Sequence, residues 1–156
     1  MIKIKKESAK VLYANQELIT LSVHDLNFLI KLAKKNKDKS IRLCTHKSKK
    51  DNPHEMIIIN PKSYKILPHM HPKNAEAMTI IKGLVDVVIF DNKGKVKEII
   101  KMGDLNSKKI FYYKIPRKTF HTLIIKSSYL IFYEVSKGPF SPKKNFYPKW
   151  ANIIKI

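Results

Sequence analysis

Cysteine and arginine are nearly absent from this chain: Cys44 is the one thiol, and Arg42 and Arg117 are the only guanidinium groups among 32 basic residues. A single cysteine excludes an internal disulfide framework and suits a reducing, cytoplasmic setting. The scarcity of arginine bears on the charge. With 12 acidic residues against those 32, the formal net charge is +20, a value that can signal nucleic acid or an anionic membrane surface. Specific readout of phosphates and bases favours the planar arginine fork, however. The 30 lysines are spread from end to end and never run beyond two. With abundant isoleucine and asparagine they read as compositional bias. No specific nucleic-acid partner is expected, only weak, salt-sensitive polyanion binding. No apolar run approaches the ~20 residues needed to cross a bilayer, so no membrane partner is expected. The opening MIKIKKESAK is charged without a following apolar stretch, unlike a secretory leader.

What is present fits one globular domain. Hydrophobic residues make up 44% and aromatics 10% of 156 residues, enough to bury about two-thirds of the unfolded surface. Residues 1–40 read as an extension. Its first ten residues are lysine-rich and expected to fray, and Val11 to Leu21 is β-prone enough for an edge strand. Ser22 then reads as a helix N-cap with Asp25 in a capping-box relation. Val23, Leu26, Leu29 or Ile30, and Ala33 recur at helical spacing through Asn36, predicting an amphipathic helix over one face of a barrel. His24 in its first turn is expected in solvent. Residues 41–136 change to short strands at turn-separated intervals, which implies an all-β sandwich or barrel. Tight hairpins are expected at Lys82-Gly83, at Asn92-Lys93-Gly94 and around Ser127-Ser128. Residues 137–156, rich in proline and aromatics, predict a strap over a barrel mouth or a subunit contact in a homodimer.

The densest chemistry lies in PHMHPKNAEAMTIIKG, residues 68–83. It contains His69-x-His71-x4-Glu76-x6-Gly83, and Pro116-x4-His121 follows on a distant strand. Period-two spacing sets His69 and His71 side by side, and Glu76 can start the returning strand beside them. Three imidazoles and a carboxylate form a divalent transition-metal site. Burying such groups together without an ion would cost several kcal/mol.

This pattern resembles the cupin superfamily, whose first motif is H-x-H with a Glu and a closing Gly and whose second supplies one more His. A Gly common before the first pair is Ser63 here, and the P-x-G turn of the second motif reads Pro116-Arg117-Lys118. The phrases RLCTH (Arg42 to His46), HEMIIIN (His54 to Asn60), DVVIFDNKGKV (Asp86 to Val96) and KGPFSPKKNFYPKWA (Lys137 to Ala151) look like the WbuC family of cupin-fold metalloproteins. That similarity covers roughly residues 15 to 151. It implies a cupin double-stranded β-helix, or jelly-roll barrel, around one divalent ion of Fe, Mn, Zn, Ni or Cu. It also implies a link to O-antigen and surface-polysaccharide biosynthesis. A metal-dependent isomerase or epimerase of a sugar or nucleotide sugar is the reading it suggests. A non-catalytic sensor cupin holding a small anionic ligand is the rival, and an iron-dependent dioxygenase is a third.

Beside the metal ligands, Glu134 is the candidate general acid/base. Counting pairs outward from the Ser127-Ser128 hairpin puts it next to His121, with Leu130 and Phe132 facing in. Its other roles would be orienting His121 or a salt bridge at the rim. Arg42 and His46 are the candidate substrate-binding residues, if their strand face points inward where Arg42 would suit a phosphate or carboxylate. Cys44 between them reads as a packing residue, His54 as peripheral, and Tyr64 falls on the parity opposite to His69 and His71.

Overall fold

The computed structural model describes residues 1–139, 141 and 145–154. Phe140 and Pro142, Lys143 and Lys144 of the expected strap lie outside the described residues, as do Lys155 and Ile156. Two sheets face each other. The larger has the order β1 (Ile4–Lys6), β2 (Val11–Ala14), β3 (Ile41–Cys44), β4 (His54–Pro61), β10 (Tyr129–Ser136), β5 (Glu76–Lys82) and β8 (Tyr112–Ile115). The smaller has β7 (Val96–Gly103), β6 (Leu84–Phe90) and β9 (Phe120–Ile125). This is the cupin jelly roll that the sequence implied. No helix among the described residues is long and apolar enough to cross a membrane.

Strand β4 shows why the sheets stack as they do. Its run HEMIIINP is buried along almost its whole length, so both faces must be covered. Met56 and Ile58 point between the sheets, joining Met78, Ile80, Val85, Val87, Leu130 and Phe132 in the barrel core. Ile57 and Ile59 point the other way and pack with Ile41, Leu43 and Ile131 against Leu29 and Ala33 of helix α1 (Val23–Lys34).

Helix α1 starts where the capping box predicted. The Ser22 hydroxyl accepts from the Asp25 amide at 3.3 Å, and the Asp25 carboxylate accepts from the Ser22 amide at 2.9 Å. The same carboxylate accepts from the Ile2 amide at 2.6 Å. That contact explains why the N-terminus does not fray as expected: Ile2 is buried and Ile4–Lys6 pairs with Val11–Ala14 as an ordered edge. Val23, expected on the inner face, is 72% exposed. Hydrogen bonds from Ser22 and Ile2 hold the Asp25 carboxyl down at about 2, against an ordinary 3.8. A depressed carboxyl contributes stability that is complete above its unfolded value and lost as the pH falls through its folded one. Asp25→Asn is therefore expected to lower the melting temperature at neutral pH, and the gap to the parent should close between about pH 4 and pH 2. A gap that stays constant in acid would contradict this role.

Two of the three expected hairpins are corners between sheets. Strand β5 pairs with β10 and β8, while β6 pairs with β7 and β9. Gly83 makes the crossing possible. It sits at φ +104°, its amide donates to the Asp104 carboxylate at 2.9 Å, and a Cβ there would lie 2.5 Å from the Tyr129 carbonyl oxygen. The chain likewise passes from one sheet to the other between β9 and β10, at Ser127-Ser128. The Asn92-Lys93-Gly94 hairpin does join the paired strands β6 and β7, with Gly94 at φ +86°.

Candidate metal centre

The histidine cluster forms where an irregular segment meets strand β9. His69 and His121 exchange backbone hydrogen bonds, 3.0 Å from the His69 amide and 2.9 Å from the His121 amide. The Lys118 amide donates to the His71 carbonyl at 2.9 Å. Lys118 occupies the left-handed region at φ +64°, so at the position where the P-x-G pattern has glycine a lysine takes a conformation that glycine adopts readily. Glu76 opens β5, as its spacing from the histidines predicted.

One ring nitrogen from each of His69, His71 and His121 lies within 4.8 Å of the others, and all three residues are buried. Two of the rings are oriented from behind. Nδ1–H of His69 donates to the Leu67 carbonyl at 2.8 Å, and Nδ1–H of His121 to the Thr119 carbonyl at 3.0 Å. A carbonyl only accepts, so the proton is held at Nδ1 and the Nε2 lone pair is left toward the cluster. Burial, then the neighbouring His121, pushes His69 down to about 4, and burial lowers His121 as well. Both are therefore neutral near pH 7.

Glu76 lies against two of these rings. Its carboxylate is 2.8 Å from Nε2 of His71 and 3.8 Å from Nε2 of His121. Burial alone would raise its carboxyl, but the His71 hydrogen bond and the nearby His121 outweigh burial and keep it below the usual carboxylate range. The Tyr113 hydroxyl, kept protonated by burial and by the Glu76 charge, donates to Glu76 at 2.7 Å. The neutral imidazoles of His69 and His121 beside an ionised carboxylate are the donor chemistry of a divalent transition metal.

The cluster opens into a cavity of about 620 Å³ between the sheets. Glu134 lines it, though not through the expected pairing with His121: β9 and β10 belong to different sheets. It faces in because it shares the parity of Leu130 and Phe132 along β10, opposite Met56 of β4 and Met78 of β5. Arg42 lines the cavity from β3. His46 does not appear on that lining. Strand β3 ends at Cys44, so the parity that would carry His46 onto the face of Arg42 stops two residues short. Instead its ring stacks on His54, centroids 4.1 Å apart and nearly parallel. His54, expected to be peripheral, lines the cavity in its place.

Sequence reasoning also missed three tyrosines. Tyr64 was excluded by parity, but residues 64–67 form no strand and the rule does not apply; Tyr64 lines the cavity. Tyr113 shares the inward parity of Ile115 on β8, a signal that was available. Tyr147 comes from the strap, whose Phe146 bridges Met70 through two backbone hydrogen bonds of 3.0 and 2.9 Å. Its ring lies 5.7 Å from that of His69, so Tyr147 lines the cavity beside the histidine cluster.

Residues 21–102 match the model of a family described as a domain of unknown function, DUF6016. That is more than half of the chain. It belongs to the DUF6016 family. No curated protein matches this DUF6016 chain. Solved structures of similar fold include oxalate decarboxylase from Bacillus subtilis, at 22% identity and a TM-score of 0.51 over 62% of this chain and 24% of that one. Another is the capsular polysaccharide assembling protein CapF from Staphylococcus aureus, at 14% identity and a TM-score of 0.57 over 73% of this chain and 33% of that one. CapF with the inhibitor 3-isopropenyl-tropolone aligns at 16% identity and a TM-score of 0.52, over 69% of this chain and 31% of that one. The DUF6016 chain thus spans a quarter to a third of the length of these proteins, and at such identities the likeness establishes the cupin fold.

Proposed function

We propose that the protein is a metal-dependent cupin acting on a small, anionic, sugar-type ligand, with His69, His71, Glu76 and His121 holding one transition-metal ion. The observation that carries this reading is the convergence of three buried imidazoles, two of them with Nδ1–H tied to backbone carbonyls. When bound, the ion would polarise a ligand oxygen and ease loss of a neighbouring proton. Glu134, on the cavity wall above the apolar Phe132, is the group that takes and returns that proton. Arg42 on the same wall suits a carboxylate or phosphate. Together these roles describe an isomerase or epimerase.

Two resemblances support the sugar class. Phrases along most of the chain look like WbuC-type proteins of surface-polysaccharide clusters, and CapF is by its title a capsular polysaccharide assembling protein. The lone, buried Cys44 fits a cytoplasmic setting. A mass spectrum of small molecules released by denaturing the purified protein tests the assignment. A sugar phosphate, sugar acid or nucleotide sugar is expected, and a dicarboxylate or an aromatic compound in its place would overturn it.

A further inference from the structure

A second recess of about 420 Å³ adjoins the metal cavity, lined by Lys10, Lys37, Asp38, Lys39, Ser63, Tyr64 and Lys65. Lys10, Tyr64 and Lys65 line both volumes, so the two lie side by side. Three segments far apart in sequence meet here: the entry to β2, the loop after α1, and the turn after β4. Each is pinned by backbone hydrogen bonds. The Lys10 carbonyl accepts from the Arg42 amide at 2.7 Å, the Lys39 amide donates to Asn36 at 2.9 Å, and the Tyr64 amide donates to Pro61 at 2.9 Å. Lys39 holds a left-handed φ of +50°, a conformation disfavoured for residues with a side chain.

We infer that this recess is a phosphate subsite: it anchors the phosphate or pyrophosphate of a sugar-type ligand whose other end reaches the histidine cluster. Four exposed lysines, Lys10, Lys37, Lys39 and Lys65, line it, and the one carboxylate among its lining residues, Asp38, is ion-paired with Lys10. That leaves far more positive charge than a monocarboxylate requires, and a doubly or triply charged phosphate group matches it. Lysine serves as a point-charge ligand for phosphate, without the geometric demands of an arginine fork, so scarcity of arginine does not weaken the site. The inference deepens the sugar-ligand reading of the metal cavity, yet the recess needs no metal to attract phosphate.

Metal-depleted protein titrated calorimetrically with inorganic phosphate, inorganic pyrophosphate and acetate at physiological salt tests it. Pyrophosphate or phosphate should bind and acetate should not. Losing two charged contacts in Lys10→Ala/Lys65→Ala should weaken binding by about tenfold or more. A control, Lys95→Ala/Lys97→Ala, changes exposed residues of β7 and its hairpin that line neither cavity, and should cost less than about twofold because distant charges are screened. If Lys10→Ala/Lys65→Ala melts early, Lys37→Ala alone, in the exposed loop after α1, should still weaken binding. Tighter pyrophosphate than phosphate indicates a diphosphate-linked ligand, and the reverse a monoester. Absence of both, acetate binding as tightly, or equal losses in the control would overturn the subsite. Because the metal is removed first, failure of the metal reading leaves this result interpretable.

Discussion

Protein purified without a metal-affinity tag is expected to carry close to one transition-metal ion per chain, and His69→Ala/His121→Ala close to none. The double variant removes the two rings whose Nδ1–H groups are held by the Leu67 and Thr119 carbonyls. These are the donors that need no rearrangement before binding. His71 and Glu76, hydrogen-bonded to each other at 2.8 Å, would remain as a pair with the carboxylate further engaged by Tyr113. Two ligands of that kind do not hold a divalent ion against dilution. A resident ion also stabilises the fold, by about 2.7 kcal/mol when free metal is a hundredfold above its dissociation constant. For a chain of this size that amounts to a rise in melting temperature of roughly 5–10 °C. Chelation should reverse the rise in the parent and leave the double variant unmoved. Elemental analysis and thermal melts check both expectations. Metal well below one per chain and unchanged in the double variant would sink the site.

The second large effect belongs to Glu134. Glu134→Gln keeps the shape and much of the hydrogen-bonding capacity of the side chain while removing its ability to accept a proton. If the cavity runs proton transfer, the variant should keep metal and melting temperature and lose at least ~100-fold in turnover, the usual contribution of a positioned acid or base. The substrate for that assay is the compound identified in the released-ligand spectrum. A sensor would behave differently: the same change would shift ligand affinity modestly and abolish nothing. Loss of metal in Glu134→Gln would instead assign the carboxylate to the ion. Unchanged turnover would remove it from the mechanism.

How Glu134 came to face the cavity shows where sequence reasoning is strong and where it fails. Its inward parity with Leu130 and Phe132 is a local property of an extended chain, because side chains alternate every residue. The pairing with His121 that first suggested it does not exist. Gly83 is a similar case: the hairpin expected there is a corner between strands that do not pair, yet side-chain alternation still carries Met78, Ile80, Val85 and Val87 into the core.

The sequence by itself determined what short-range geometry controls: the capping box of Ser22 and Asp25, the turns at Gly83 and Gly94, and the side-by-side placement of His69 and His71. Each depends on dihedral preferences, residue spacing or donor chemistry within a few positions. Tertiary structure decided which strands share a sheet, because pairing is chosen by burial of the whole core and a corner at glycine is locally similar to a hairpin. It also decided the exchange of His46 for His54, the placement of Tyr113 behind Glu76, and the lysine-lined recess. Those depend on segments tens of residues apart arriving at one place. No local rule carries that information: the side chains concerned obey the same local preferences whether or not the distant segment is there.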